Sequence, residues 1–196
     1  SMVTEVETMR ASDVLRNEHR AVERVLRVLE RAADRLDAQE PVSMEVFEDS
    51  LDFLRNFADK CHHAKEEAVL FPAMARAGVP VDKGPIGVML AEHEEGRAYI
   101  RAMVDAVEDC KRGNAAAREA LARNARAYAS LLEQHIRKED DVLFPMGDRV
   151  LPDADQEALV AEFDRIEAEQ IGPGVHERYH QMIDELDQEV PAKERR

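Results

Sequence analysis

Tryptophan is absent from the 196 residues, aromatic residues make up only 5%, and glycine and proline number 8 each. So few turn-forming residues argue against sandwiches and barrels and suit long amphipathic helices. The two cysteines, Cys61 and Cys110, build no disulfide framework, which points to a reducing cytoplasm. Positive charge is also short, with 27 Lys and Arg against 42 Asp and Glu for a net −15. No nucleic-acid partner is expected, because phosphate recognition needs a basic face, and an anionic membrane surface is disfavoured for the same reason. No apolar run nears the roughly 20 residues of a membrane-spanning helix, and no signal peptide is evident. Ser1-Met2 reads as a tag remnant before a native Met.

Apolar residues do recur at spacings of 3 and 4 along four long segments. The first runs from about Ser12, its expected N-cap, to Leu36, and carries Leu15, His19, Val22, Leu26 and Leu29 on one stripe. The second, about Ser43 to Leu70, carries Phe47, Leu51, Leu54, Ala58, His62, Glu66 and Val69, with Pro72 expected to stop it. The third, about Ile86 to Lys111, carries Met89, His93, Gly96, Ile100, Met103 and Val107. The fourth, about Ala115 to Phe144, carries Leu121, Ala125, Tyr128, Leu132, His135, Glu139 and Val142, with Pro145 beyond it. This pattern predicts an all-α, up-down-up-down four-helix bundle.

The chain also repeats itself. His62-His-Ala-Lys-Glu66 and its following Leu70-Phe71-Pro72 match His135-Ile-Arg-Lys-Glu139 and Leu143-Phe144-Pro145, offset by 73 residues. Glu18-His19 matches Glu92-His93, offset by 74. The third and fourth helices therefore read as a second copy of the first two. From Asp153 onward the chain is acid-rich, yet Leu159, Phe163 and Ile166, then Val175, Tyr179, Ile183 and Leu186 keep helical spacing around Gly172-Pro173-Gly174. Two short helices over about 153–190, packed on a bundle of about 10–147, are expected.

Each bundle helix places one histidine in its apolar stripe: His19, His62, His93 and His135. One histidine on an apolar face is usually a hydrogen-bonded core residue. Four of them, two followed by a glutamate at i+4 on the same face, call for a bound cation, since unpaired buried carboxylates cost several kcal/mol. Imidazoles with a few carboxylates suit iron, manganese or zinc, and two half-sites suit two metal ions. In the second helix His63 and Glu67 repeat the i,i+4 pattern. On α-helical spacing they share a face with Asn56, Asp59 and Lys60, so they are expected to be outer or surface residues. Thiolate ligation is not expected, because neither cysteine lies in a partner motif.

The set Glu18-His19-Arg20, His62-His63-x-x-Glu66-Glu67-x-x-Leu70-Phe71-Pro72, Glu92-His93-Glu94-Glu95-Gly96-Arg97 and His135-x-x-x-Glu139-x-x-x-Leu143-Phe144-Pro145 resembles the hemerythrin-like HHE cation-binding family over about residues 10–147. The resemblance implies a hemerythrin-like four-helix bundle from a duplicated helical hairpin, with a C-terminal helical extension. It implies two non-heme iron ions per chain, oxo- or hydroxo- and carboxylate-bridged, held by His19, His62, Glu66, His93, His135 and Glu139, with Glu66 and Glu139 bridging. Zinc or manganese remains compatible. Oxygen-carrying hemerythrins have His-x-x-x-His in the third helix and His-x-x-x-x-Asp in the fourth; here Arg97 and Glu139 stand instead. One histidine of that pattern is missing, and the set looks closer to members linked to oxygen or iron sensing, peroxide or nitric oxide chemistry.

His176-Glu177-Arg178-Tyr179-His180 is formally His-Glu-x-x-His, a zinc-hydrolase spacing when carried on a helix. A third ligand for it would have to be Glu185, Glu189 or Glu194. The same segment offers another role, with His176 folded back to supply the missing bundle ligand. A ferritin-like site needs Glu-x-x-His on two helices and is rejected, because the pattern occurs once, at Glu177-His180. Two classes of function follow: a di-iron protein that binds O2 or related oxidants for sensing, storage or redox response, or a di-iron oxidoreductase acting on peroxide or nitric oxide. Glu94, Glu95 and Tyr179 are the candidate proton groups for the second. O2, peroxide or NO is the expected small-molecule partner, and no reductase or output domain is evident.

Overall fold

The structure, a computed structural model, describes residues 9–193; Ser1, Met2 and Glu194 lie outside the described residues. Those residues form six helices and no strand: α1 Ala11–Asp37, α2 residues 44–76, α3 Pro85–Lys111, α4 residues 115–150, α5 Asp153–Gln170 and α6 Val175–Glu189. Ser43 caps α2 by accepting from the Glu45 N–H, and Asn114 caps α4 by accepting from the Ala116 N–H. Gly113 closes α3 at φ +87°, where a side chain would be strained. Ser12 is not the cap that its position suggested. The helix begins one residue earlier, and the Ser12 hydroxyl donates to Asp148 at 2.7 Å.

Helices α2 and α4 run on through the prolines expected to end them. In α2 the α-helical turns Met44–Phe53 give way to π-helical turns at Leu54–His63 and Glu66–Leu70 before α-helix resumes at Phe71–Arg76. In α4 the π segment is Glu139–Leu143, followed by Phe144–Val150. A proline inside an α-helix lacks an N–H and clashes with the carbonyl four residues back. The widened turn just before Pro72 and Pro145 opens the ladder where that clash would fall, and π turns recur at functional sites.

Two separate apolar clusters hold the helices. The larger contains Leu26, Leu29, Phe47, Leu54, Met103, Leu121 and Leu132. The smaller contains Leu15, Leu70, Phe71, Ile86, Met89, Leu143 and Phe144. The smaller cluster joins the starts of α1 and α3 to the ends of α2 and α4, so consecutive helices run in opposite directions. Each of the four passes from one cluster to the other through its histidine, which makes a polar layer between two oily ones. The last two helices cover one side. On α5, Gln156 accepts from the Ala11 N–H at 2.9 Å and Phe163 enters the smaller cluster. On α6, Tyr179, Ile183 and Leu186 enter the larger, and Asp184 and Asp187 accept from Arg24 at 2.7 Å each.

Candidate metal centre

Within the polar layer, His19, His62, Glu66 and Glu139 offer one ligand atom each within 4.8 Å of one another. A second group, His63, Glu66, His93 and His135, meets the same limit and shares Glu66 with the first. All seven side chains are buried, with Glu66 and Glu139 at 0% exposure. The carboxylates cross-link the two halves of the repeat. Glu66 presents one oxygen 3.1 Å from His62 Nε2 and the other 3.1 Å from His93 Nε2. Glu139 does the same with His135 at 2.9 Å and His19 at 3.0 Å.

The outward nitrogens fix which way the inward ones face. Nδ1–H of His19 donates to Asp140 at 2.7 Å, of His62 to Glu18 at 3.1 Å, and of His63 to Asp59 at 3.2 Å. That of His93 donates to Glu67 at 2.9 Å, and that of His135 to Glu92 at 2.8 Å. A neutral imidazole with its proton on Nδ1 turns a bare lone pair on Nε2 inward, as a metal ligand must, and outer carboxylates of this kind raise ligand basicity. The Nε2 atoms of His19, His93 and His135 and all four oxygens of Glu66 and Glu139 are buried without a hydrogen-bonding partner. Acceptors thus face acceptors across about 3 Å, an arrangement that a cation resolves. These donors fit a metal pair.

Without a cation, protons take its place. Burial lowers His62, but Glu66 and Glu18 outweigh it and push it up to about 10. His135 also reaches about 10, with Glu139 and Glu92 outweighing its burial. Burial raises Glu66, yet His62 and His93 hold it well below the ordinary carboxylate range. His63 goes the other way: burial and the neighbouring His93 bring it down to about 4 despite Asp59.

His63 corrects the expectation of an outer or surface residue. It is buried at 6% exposure, stacks on His93 with ring centroids 3.8 Å apart, and joins the second group of donors. The α-helical period that separated its face from that of His62 does not apply within the π turns, where the wider coil brings consecutive side chains closer in direction. Where the third helix lacks a histidine, α2 brings an additional one beside His93. Arg97 instead forms ion pairs with Asp59 at 2.8 Å and Glu67 at 3.0 Å, holding two of the carboxylates that orient His63 and His93.

The structure does not bring His176 to either central group. It pairs with Glu167 of α5, packs on Phe57 with ring centroids 5.1 Å apart, and falls near Glu18 instead. His180 is exposed and joins no group of three donors among the described residues. Tyr179 packs on Phe53, Glu94 pairs with Arg97 and Glu95 is exposed. Cys61 is buried and joins no donor group among the described residues; desolvation pushes its thiol up to about 12. The sequence reading also missed Lys65, fully buried with its ammonium 2.7 Å from Glu18. The repeat held a clue to the outer carboxylates, since Glu18 and Glu92, and Glu67 and Asp140, occupy matching positions.

Uncharacterized proteins of Mycobacterium bovis and Mycobacterium tuberculosis are each 28% identical to this chain over 135 residues, covering 69% of it. The chain spans about half the length of these curated relatives, the match covering 52% of each. A family model for the hemerythrin HHE cation binding domain matches residues 10–147, the stretch that holds every donor of the two central groups. The chain belongs to the hemerythrin HHE cation-binding domain family.

Proposed function

We propose that this chain is a non-heme di-iron protein that binds O2 or a related small oxidant, for sensing, storage or redox response. In this reading residues 10–147 are a four-helix bundle from a duplicated hairpin and 153–190 a helical extension on it. His19 and His62 would hold one metal, His63, His93 and His135 the other, and Glu66 and Glu139 would balance the charge of both. The observation that carries the proposal is the convergence of unpartnered Nε2 and carboxylate atoms in a buried layer between two apolar clusters. Two histidines on one side and three on the other make the halves unequal, so a small ligand has reason to prefer one metal.

When bound, iron would supply an open coordination position and reversible electron transfer. The chain's own share is to fix the Nε2 lone pairs through five outer carboxylates, keep bulk water out, and balance charge with the two central glutamates. Its two free cysteines suit a reducing cytoplasm. Anaerobic loading with ferrous iron, metal analysis and exposure to O2, peroxide and NO test the proposal. About two irons per chain and an optical change that reverses when O2 is removed are expected. Stoichiometric zinc with no iron uptake overturns the di-iron reading, and steady consumption of peroxide or NO replaces binding with turnover.

A further inference from the structure

A cavity of about 230 Å³ opens between α2 and α3 beside the three-histidine group. At about 30 Å³ per water, it has room for a small polyatomic ligand with part of its hydration shell. His63 and His93 form its floor, and Gly96, Ile100 and Tyr128 shape its walls. Gly96 matters to the shape, because a methyl there would already touch Tyr128 and Leu132 at 3.5 Å and anything longer would fill the space.

The rim is basic although the chain as a whole is acidic. Arg55, Lys60 and Arg101 stand around it with exposed side chains. None of the three forms an ion pair among the described residues, whereas Arg97 beside them is matched by Asp59, Glu67 and Glu94. Among the described residues Asp59 is the only acid on the lining, and Arg97 and His63 already engage it. Three unmatched cations at the mouth of a low-dielectric recess focus a positive field inward, on a molecule of net −15.

We propose that this cavity is a binding site for a small monovalent anion of the size of nitrite or azide, seated by Arg55, Lys60 and Arg101 above His63 and His93. The seat belongs to the protein alone. Its service as an approach to the metal pair rests on the di-iron reading. A neutral ligand such as NO would use the same space without help from the rim, so the rim selects for anions.

Two arms separate those claims. In the metal-free protein, nitrite should slow phenylglyoxal modification of Arg55 and Arg101 severalfold, read by peptide mass spectrometry, while exposed Arg123 reacts unchanged. In the iron-loaded protein, the surface variant R55E/R101E should slow azide association about tenfold or more at low ionic strength. The difference should collapse at high salt, and NO association should stay within about twofold because a neutral ligand feels no such field. No protection of either arginine by nitrite overturns the anion seat. Equal slowing of azide and NO, or of neither, overturns charge selection. If the protein takes up no iron, the di-iron reading fails and the metal-free arm still decides the seat.

Discussion

The two halves of the repeat start from nearly the same residues and end in different surroundings. Glu18 and Lys65 in the first half match Glu92 and Lys138 in the second, and each glutamate orients a matching histidine, His62 or His135. Yet Lys65 is 2% exposed beneath α5, whereas the Lys138 side chain is 43% exposed. One position on, His63 of the first half corresponds to Ile136 of the second, and both are buried. The repeat supplies a near-symmetric frame of donors. A single residue and an added pair of helices make its two halves different.

The largest effect should come from removing what the halves share. Glu66 and Glu139 each touch histidines from both hairpins, so Glu66→Ala or Glu139→Ala should empty both positions, read as metal per chain. Retention of one full equivalent would mean that neither carboxylate spans the pair. Chelation of the wild type should likewise lower its melting temperature, because a ligand bound only to the folded state stabilises it by mass action. An unchanged melting curve would mark the site as adventitious.

Making the halves alike is the next largest perturbation. His63→Ile copies the second half's residue into the first and removes a donor only from the three-histidine group. Metal in that group should be held more weakly, read by competition with a chelator, while the two-histidine group keeps its affinity. Unchanged affinity in both groups would return His63 to the outer role that α-helical spacing gave it.

That substitution also marks the limit of the sequence. The four stripe histidines and the two i,i+4 glutamates were legible because they follow the 3.6-residue period and repeat at a fixed offset. His63 was not, since the turns around it are π-helical and no residue pattern there announces the change. The same widening let α2 and α4 pass Pro72 and Pro145, which read as stops. His176 misled for another reason: its stripe was visible, but which buried group it would meet depended on how α5 folds back. The pairing of Lys65 with Glu18 under Phe163 was hidden likewise, because a lysine followed by two glutamates reads as a solvated turn.

The two lysines give the third comparison. Lys65→Met leaves Glu18 buried without its ammonium, the kind of change that costs about 3–5 kcal/mol. Lys138→Met breaks a half-exposed pair and should cost no more than about 1 kcal/mol. Urea denaturation of the two variants checks the difference, and equal midpoints would mean that α5 does not seal the first half.

The smallest expected effect concerns the cover itself, which lies mainly on the first half. Besides its apolar face, α6 is tied to α1 through Asp187, which accepts from Arg24 at 2.7 Å and from Arg31 at 2.8 Å. Burial raises the Asp187 carboxyl, but the two guanidiniums outweigh it and hold the group below its ordinary 3.8. A carboxylate lowered in the folded state adds stability at every pH above its unfolded value and loses it as pH falls through the folded one. The tie should therefore be intact at pH 5 and weaken below about 4, where α6 loosens before the helices beneath it. Because Asp187 is a third exposed, solvent screens the pair and the change should be local. Amide exchange checks this: protection in residues 175–189 should drop between pH 5 and pH 3, after correction for intrinsic exchange rates, while α1 stays protected. Asp187→Asn should remove most of that pH dependence. If the variant keeps it, Tyr179, Ile183 and Leu186 alone hold α6 in place, and the first half is covered by packing rather than by charge.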